Sequence, residues 1–199
     1  MNAPVFALCY LPPLGELGTP PPVSLVEVLS QADSERPLFE AIALEGDLAF
    51  YEDGNPACSP VVLENITALP EFLHAEDADA RYQRLMNYQI EISQRYGAPL
   101  LARRAAFEWE LRRALIPQRT ALLNRELVNP ERDIYLDDAD LIAECQTAFA
   151  TAENAHQALQ AINRCRYDFL SRYEKFEFSL DQFVRYALMV LVLAEASDK

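Results

Sequence analysis

Residues 99–128 read PLLARRAAFEWELRRALIPQRTALLNRELV, and this stretch decides the fold. Apolar residues recur along it at the three- to four-residue spacing of one helix face. They are Leu100, Phe107, Leu111, Leu115 and Leu122. Pro99 suits the first turn of a helix, whereas Pro117 removes a backbone hydrogen bond and should kink it. The spacing therefore predicts a long, kinked helix over about 99–128.

The whole second half of the chain shares this character. Gly97 is the last glycine, and only Pro99, Pro117 and Pro130 follow it. Because glycine and proline most often break helices, their scarcity leaves room for helices of about 25 to 40 residues. Long helices are typical of connectors and scaffolds. The sequence has no glycine-rich phosphate loop and no nucleophile motif, so we expect a non-enzyme without catalytic residues or a cofactor.

Two capping boxes mark the starts of further helices. Ser24 followed by Glu27 opens a short helix in SLVEVLSQA, and Ser179 followed by Gln182 opens the last one. From Tyr186 onward the last helix is apolar on nearly every face. Such a helix must be buried in a bundle or covered by a partner.

Helical spacing also predicts helices over about 35–51, 77–96 and 137–173. The third carries an apolar stripe with nearly the period of a coiled coil. If it is one helix, Cys145 and Cys165 lie about 30 Å apart, far beyond disulfide reach.

The predicted fold class is all-α, an elongated bundle of long antiparallel helices in a single domain over 1–199. Residues 1–75 form an arm, a proline-rich loop and short helices, and residues 76–199 form the long-helix bundle. The arm begins at 4–11 as a short strand or an extended segment.

The charge of the chain is acidic overall but unevenly placed. The formal net charge is −14, from 17 basic and 31 acidic residues. Residues 1–80 hold 14 acids and one base, whereas residues 81–128 hold nine arginines and four glutamates. The net negative charge disfavours nonspecific binding to nucleic acid and to anionic lipid. We expect no nucleic-acid partner.

The cysteines and the apolar runs predict a cytoplasmic protein. The four cysteines form no CxxC pair, and the N-terminus lacks the basic region of a cleavable signal. The longest apolar run, Tyr186–Ala194, has nine residues, against about 20 for a membrane span. We therefore expect no direct membrane span.

An arginine-rich group on the 99–128 helix is the candidate partner-binding site. Arginine and tryptophan are favoured at interfaces because both supply rigid contact area. The group consists of Arg103, Arg104, Trp109, Arg112, Arg113 and Arg119. One interpretation is that this face docks an acidic partner. The other is that the arginines pair with Glu108, Glu110 and acids on adjacent helices within the fold.

Both histidines lie in Glu-x-x-His, at Glu71–His74 and Glu153–His156. Two such motifs, with two further glutamates, make the di-iron site of ferritin-like bundles. This is the alternative function, a bundle metalloprotein. Helical geometry disfavours it, because Glu153 lies about 100° from the centre of the apolar stripe. We expect no metal site.

Three segments resemble one known family. They are YLPPLGELGTPPPVSLVEVL (10–29), FEWELRRAL (107–115) and RCRYDFLSRYEKFEFSLDQFVRYALMVLVLAE (164–195). In this order they resemble the small helical proteins of unknown function encoded with bacterial V/A-type ATPases. Residues 52–75 and 129–150 show no such resemblance.

The family is regarded as a substitute for the connector subunit of the rotary ATPase, called C in the archaeal type and d in the eukaryotic type. The resemblance implies a non-catalytic protein that couples the central shaft to the proteolipid rotor ring. It implies a cytoplasmic protein, peripheral to the inner membrane, whose partners are the other ATPase subunits. An assembly adaptor that visits the ATPase transiently is a further alternative.

Overall fold

The computed structural model describes residues 7–31, 35, 37–44, 78–123, 138–174 and 177–197. These residues contain seven helices and no strand, which confirms the all-α fold class for this part of the chain. The helices are α1 (Leu25–Leu29), α2 (37–44), α3 (Ala78–Tyr96), α4 (Pro99–Leu123), α5 (Ala139–Ala150), α6 (Ala155–Arg172) and α7 (Leu180–Ser197).

Two helical hairpins form most of the bundle. In the first, α3 packs against α4, and only Gly97 and Ala98 connect the two helices. Gly97 has φ of +66°, the left-handed conformation that glycine adopts without steric cost and that commonly ends a helix. The first free N–H of α4, that of Leu100, donates to the Asp181 carboxylate of α7 at 3.1 Å. The second hairpin joins α5 to α6.

The second hairpin corrects the sequence prediction, because the single helix expected over 137–173 is wrong. Helix α5 ends at Ala150 and α6 begins at Ala155. The side chain of Asn154 accepts a hydrogen bond from the Gln157 N–H at 2.9 Å, so it caps the new helix. Asparagine is among the best residues at this position. The apolar stripe predicted along the single helix is therefore not one buried face, since Leu159 is 47% exposed.

Helix α7 fills the centre of the bundle. Every residue from Gln182 to Leu193 is buried, which confirms that the all-apolar helix is covered. It contacts α1, α4 and α6, and Phe183 meets Phe39 of α2 edge-on at 4.8 Å between ring centroids. Ser179 accepts a hydrogen bond from the Gln182 N–H, which is one half of the predicted capping box, whereas the Gln182 side chain donates to the Tyr173 carbonyl at 2.8 Å. Within the described ranges no helix is both long and apolar enough to cross a bilayer.

The N-terminal segment lies against this core. Its described part begins at Ala7 with one helical turn, in which the Leu11 N–H donates to the Ala7 carbonyl, so the strand or extended segment predicted over 4–11 is wrong for 7–11. From there to α1 the segment is irregular. The Tyr186 hydroxyl of α7 donates to the Pro12 carbonyl at 2.8 Å. The predicted capping box of α1 is present, with Ser24 and Glu27 bonded reciprocally.

Several predicted features lie outside the described residues. They include the end of the 35–51 helix, the Glu71–His74 motif and residues 124–137. Helix α4 continues through Pro117 as far as Leu123.

Candidate functional site

Helix α4 carries its charged residues on two sides. Arg104 and Glu108 are four residues apart, so they share one face of the helix. That face points into the bundle, and both side chains are buried. Arg103, Trp109, Arg112 and Arg113 are partly exposed, whereas the Arg119 side chain lies outside the described part of the chain.

The Glu108 carboxylate is the centre of an interior charge network. Arg166 of α6 binds it with two parallel hydrogen bonds, Nε to Oε1 at 2.9 Å and Nη2 to Oε2 at 3.0 Å. Arg104 approaches Oε1 at 3.2 Å, and the Tyr82 hydroxyl of α3 donates to Oε2 at 3.1 Å. Arg166 also binds Glu195 of α7 at 2.9 Å. The network therefore ties together four helices.

The electrostatics of this network keep Glu108 ionised. Burial by itself would raise the pKa of the carboxyl. The positive charges of Arg104 and Arg166, with hydrogen bonds from Arg166 and Tyr82, outweigh burial and hold the pKa below its ordinary value of 4.5. A buried charge is tolerated only when it is paired and hydrogen-bonded in this way.

A second cluster surrounds Asp138, which immediately precedes α5. The carboxylate is buried and contacts Arg103 of α4 at 3.6 Å and Arg172 of α6 at 3.4 Å. The Tyr173 hydroxyl donates to it at 3.1 Å. The Arg103 guanidinium also lies over the Tyr173 ring, 4.7 Å from its centroid. This cluster fixes the start of α5 against α4 and α6.

Asp140, in the first turn of α5, also pairs with Arg172, which donates to it from both Nη1 and Nη2. The hydrogen bond from Arg172 is the main reason that the pKa of Asp140 is lowered to about 2. From the sequence alone, Asp140 is only an acidic residue in the first turn of a helix. The ion pair adds a specific partner.

The more exposed residues of α4 also make contacts within the chain. The Arg112 guanidinium lies 4.3 Å from the centroid of the Tyr82 ring, and Arg113 approaches Glu110 at 3.8 Å. Three residues of the arginine group, Arg103, Arg104 and Arg113, thus form ion pairs within the fold, as the second interpretation predicts. Any partner surface on α4 is made by its partly exposed residues, because Arg104 lies in the interior. Partner binding itself stays a prediction.

The Glu-x-x-His motif at Glu153–His156 lies at the exposed end of the α5–α6 hairpin. Both side chains are exposed, and the His156 ring contacts the Gln160 amide at 2.8 Å. Among the described residues, no group of three or more histidine, cysteine or acidic side chains is placed to hold a metal ion.

Sequence reasoning missed two groups in the interior. One is the pair of partners that Glu108 has on other helices, Tyr82 and Arg166, although pairing of Glu108 with an arginine of α4 was one of the two interpretations. The other is the pair Cys145 and Cys165, whose predicted separation of about 30 Å is wrong. The hairpin places Cys165 Sγ 3.4 Å from the Leu141 carbonyl, one turn before Cys145.

No protein-family model, characterised protein or solved structure matches the chain.

Proposed function

We propose that this protein is a non-catalytic coupling subunit of a bacterial V/A-type ATPase, connecting the central shaft to the proteolipid ring. In this role it is cytoplasmic and peripheral to the inner membrane. The proposal joins the resemblance of three sequence segments to the contacts that those segments make with one another.

The contacts among the three segments are the observation that carries the proposal. Residues 107–115 contribute Glu108, which binds Arg166 from residues 164–195. Residues 10–29 contribute the Pro12 carbonyl, which binds Tyr186 of the same C-terminal segment. Segments far apart in the chain thus form one packed unit. A resemblance spread over such a unit supports a shared fold better than one confined to a single helix.

The interior suits a mechanical role. Phe107 of α4 stacks on Phe169 of α6 at 4.1 Å between centroids, beside the Glu108 network. Close-packed interiors deform little, and directional ion pairs add geometric constraint to the packing. A bundle held in this way can pass torque from one bound partner to another.

The partly exposed residues of α4 are the proposed docking face. We define this face as Trp109, Arg112 and Arg113, which are partly exposed, together with Arg119, which is included from the sequence alone. Arg103 is left out, because the helical repeat places it about 180° around the helix from Arg112. The face lies in the stretch where arginines outnumber acids, in a chain that is otherwise acidic. Such a face favours an acidic surface on the shaft or the ring, and Trp109 would supply rigid contact area.

The test is affinity capture of the tagged protein from gently solubilised native membranes, with quantitative mass spectrometry. We expect stoichiometric recovery of catalytic and proteolipid ATPase subunits, and at least about tenfold less with the double variant Arg112→Glu/Arg113→Glu. The matched control is Arg95→Glu/Arg164→Glu. It reverses two charges that are more than 60% exposed on other helices, and it should capture as much as wild type.

Circular dichroism and thermal unfolding establish that both double variants are folded. Equal capture by the two variants would refute the docking face. Recovery of the tagged protein without ATPase subunits would refute the coupling role. Recovery of ATPase subunits in amounts far below that of the tagged protein would favour the transient assembly adaptor instead.

A further inference from the structure

The α5–α6 hairpin brings two buried thiols together. Cys145 Sγ donates to the Ala161 carbonyl at 3.6 Å, and Cys165 Sγ donates to the Leu141 carbonyl at 3.4 Å. Each sulfur thus lies against the backbone one turn before the other cysteine. The two cysteine side chains also interact directly with each other, and neither is in a disulfide.

The two thiols are chemically unequal. The interaction with Cys165 lowers the pKa of Cys145, whereas the interaction with Cys145, together with burial, raises the pKa of Cys165. The thiolate is the nucleophile in thiol–disulfide exchange. Cys145 is therefore the better attacking group, and Cys165 is the resolving thiol.

We propose that Cys145 and Cys165 are a reversible redox site, closing to an intramolecular disulfide by exchange with a low-molecular-weight disulfide. The Cys145 thiolate attacks one sulfur of the small disulfide and releases its other half as a thiolate. Cys165 then loses its proton to solvent and attacks Cys145 Sγ, which releases the second half. The pair is oxidised by two electrons, and the small disulfide is reduced to two thiols.

The burial of the pair determines when the exchange proceeds. Both cysteines are only 3% exposed, so a molecule of the size of glutathione reaches Cys145 when α5 moves away from the bundle. Helix α5 is held by the buried side chains of Leu141, Ile142 and Cys145 and, at its start, by the Asp138 cluster, so the opening has to break both sets of contacts. Local opening of this kind exposes groups at a free energy below that of global unfolding. Once formed, the disulfide ties α5 to α6 and suppresses the opening.

The test uses the full chain with Cys9→Ser and Cys58→Ser, which leaves only the proposed pair. The folded protein is equilibrated in glutathione buffers of graded oxidised fraction, quenched with acid and labelled with maleimide in denaturant. We expect whole-protein mass spectrometry to show a species that lacks two hydrogens and carries no maleimide. The same buffers with urea should give about tenfold less of it at a matched ratio, because unfolding removes the proximity of the thiols.

Single replacements provide the control. Adding Cys145→Ser or Cys165→Ser should abolish the unlabelled species and leave one thiol that takes maleimide or glutathione. The proposal is overturned if the folded protein keeps two reactive thiols at every ratio. Accumulation of glutathione adducts on both cysteines, or equal oxidation with and without urea, would also overturn it.

Discussion

Replacement of Glu108 by glutamine would leave two arginine guanidiniums facing a neutral amide in the centre of the bundle. The amide can still accept a hydrogen bond at one oxygen. Its NH₂ group, however, would face two donors, Arg166 Nη2 and the Tyr82 hydroxyl. In the wild type both of these donors bind the second carboxylate oxygen. Removing one partner of a buried ion pair costs about 3–5 kcal/mol of unfolding free energy. For a chain of this size that corresponds to a fall in Tm of about 6–20 °C.

Urea unfolding monitored by circular dichroism measures this loss as a lower midpoint at an unchanged slope. The matched control is Glu91→Gln, which breaks an exposed pair with Arg95 and should cost less than about 1 kcal/mol. A Glu108→Gln variant within about 1 kcal/mol of wild type would refute the role assigned to the network.

Three further predictions concern pH, packing and the helix break. The stability difference between wild type and Glu108→Gln should be full at neutral pH and should shrink as pH falls below 4.5. The reason is that a carboxyl whose pKa is lowered in the folded state stabilises the fold above its ordinary pKa, and this stabilisation is lost as the carboxyl is protonated. Urea midpoints between about pH 3 and 7 measure the stability difference, and a difference that stays constant with pH would contradict the prediction. Phe169→Ala should lower the free energy of unfolding by about 3–5 kcal/mol in the same assay, since the ring is fully buried against Phe107. The control is Phe178→Ala, at a position that is 67% exposed, which should change stability by less than about 0.5 kcal/mol. Asn154→Ala should cost about 1 kcal/mol and speed hydrogen exchange in the first turn of α6, whereas Asn154→Asp should preserve both.

The helices with strong local signals could be predicted from the sequence. Ser24 with Glu27 marked α1, the missing glycines after Gly97 marked α4, and the apolar run after Tyr186 marked the buried α7. In each case the signal was local. Capping, backbone freedom and helical periodicity depend on residues within a few positions of each other.

The break between α5 and α6 could not be predicted in the same way. Each of the two helices has an apolar stripe, and the stripes join into one apparent period when the chain is read as a line. Asn154 offered a cap, but asparagine also occurs inside helices at moderate cost. Tertiary packing of α5 on α6 decides between the two outcomes.

The partners of Glu108 on other helices could not be predicted for a related reason. Arg166 is 58 residues from Glu108 and comes to it only through packing of α6 on the rest of the bundle. From the sequence, arginines on α4 could face a partner or the core with similar plausibility. The direction in which a charged side chain points depends on the tertiary fold.

The central position of α7 has a consequence for synthesis of the protein in the cell. The ribosome makes α7 after every helix that α7 contacts in the described structure. While translation continues, the two hairpins emerge with their inner faces uncovered, and the nascent chain exposes the apolar groove that α7 later fills. Exposed grooves of this kind recruit chaperones and promote aggregation. Chains released before residue 180 should accordingly accumulate as insoluble material, while longer chains complete the bundle.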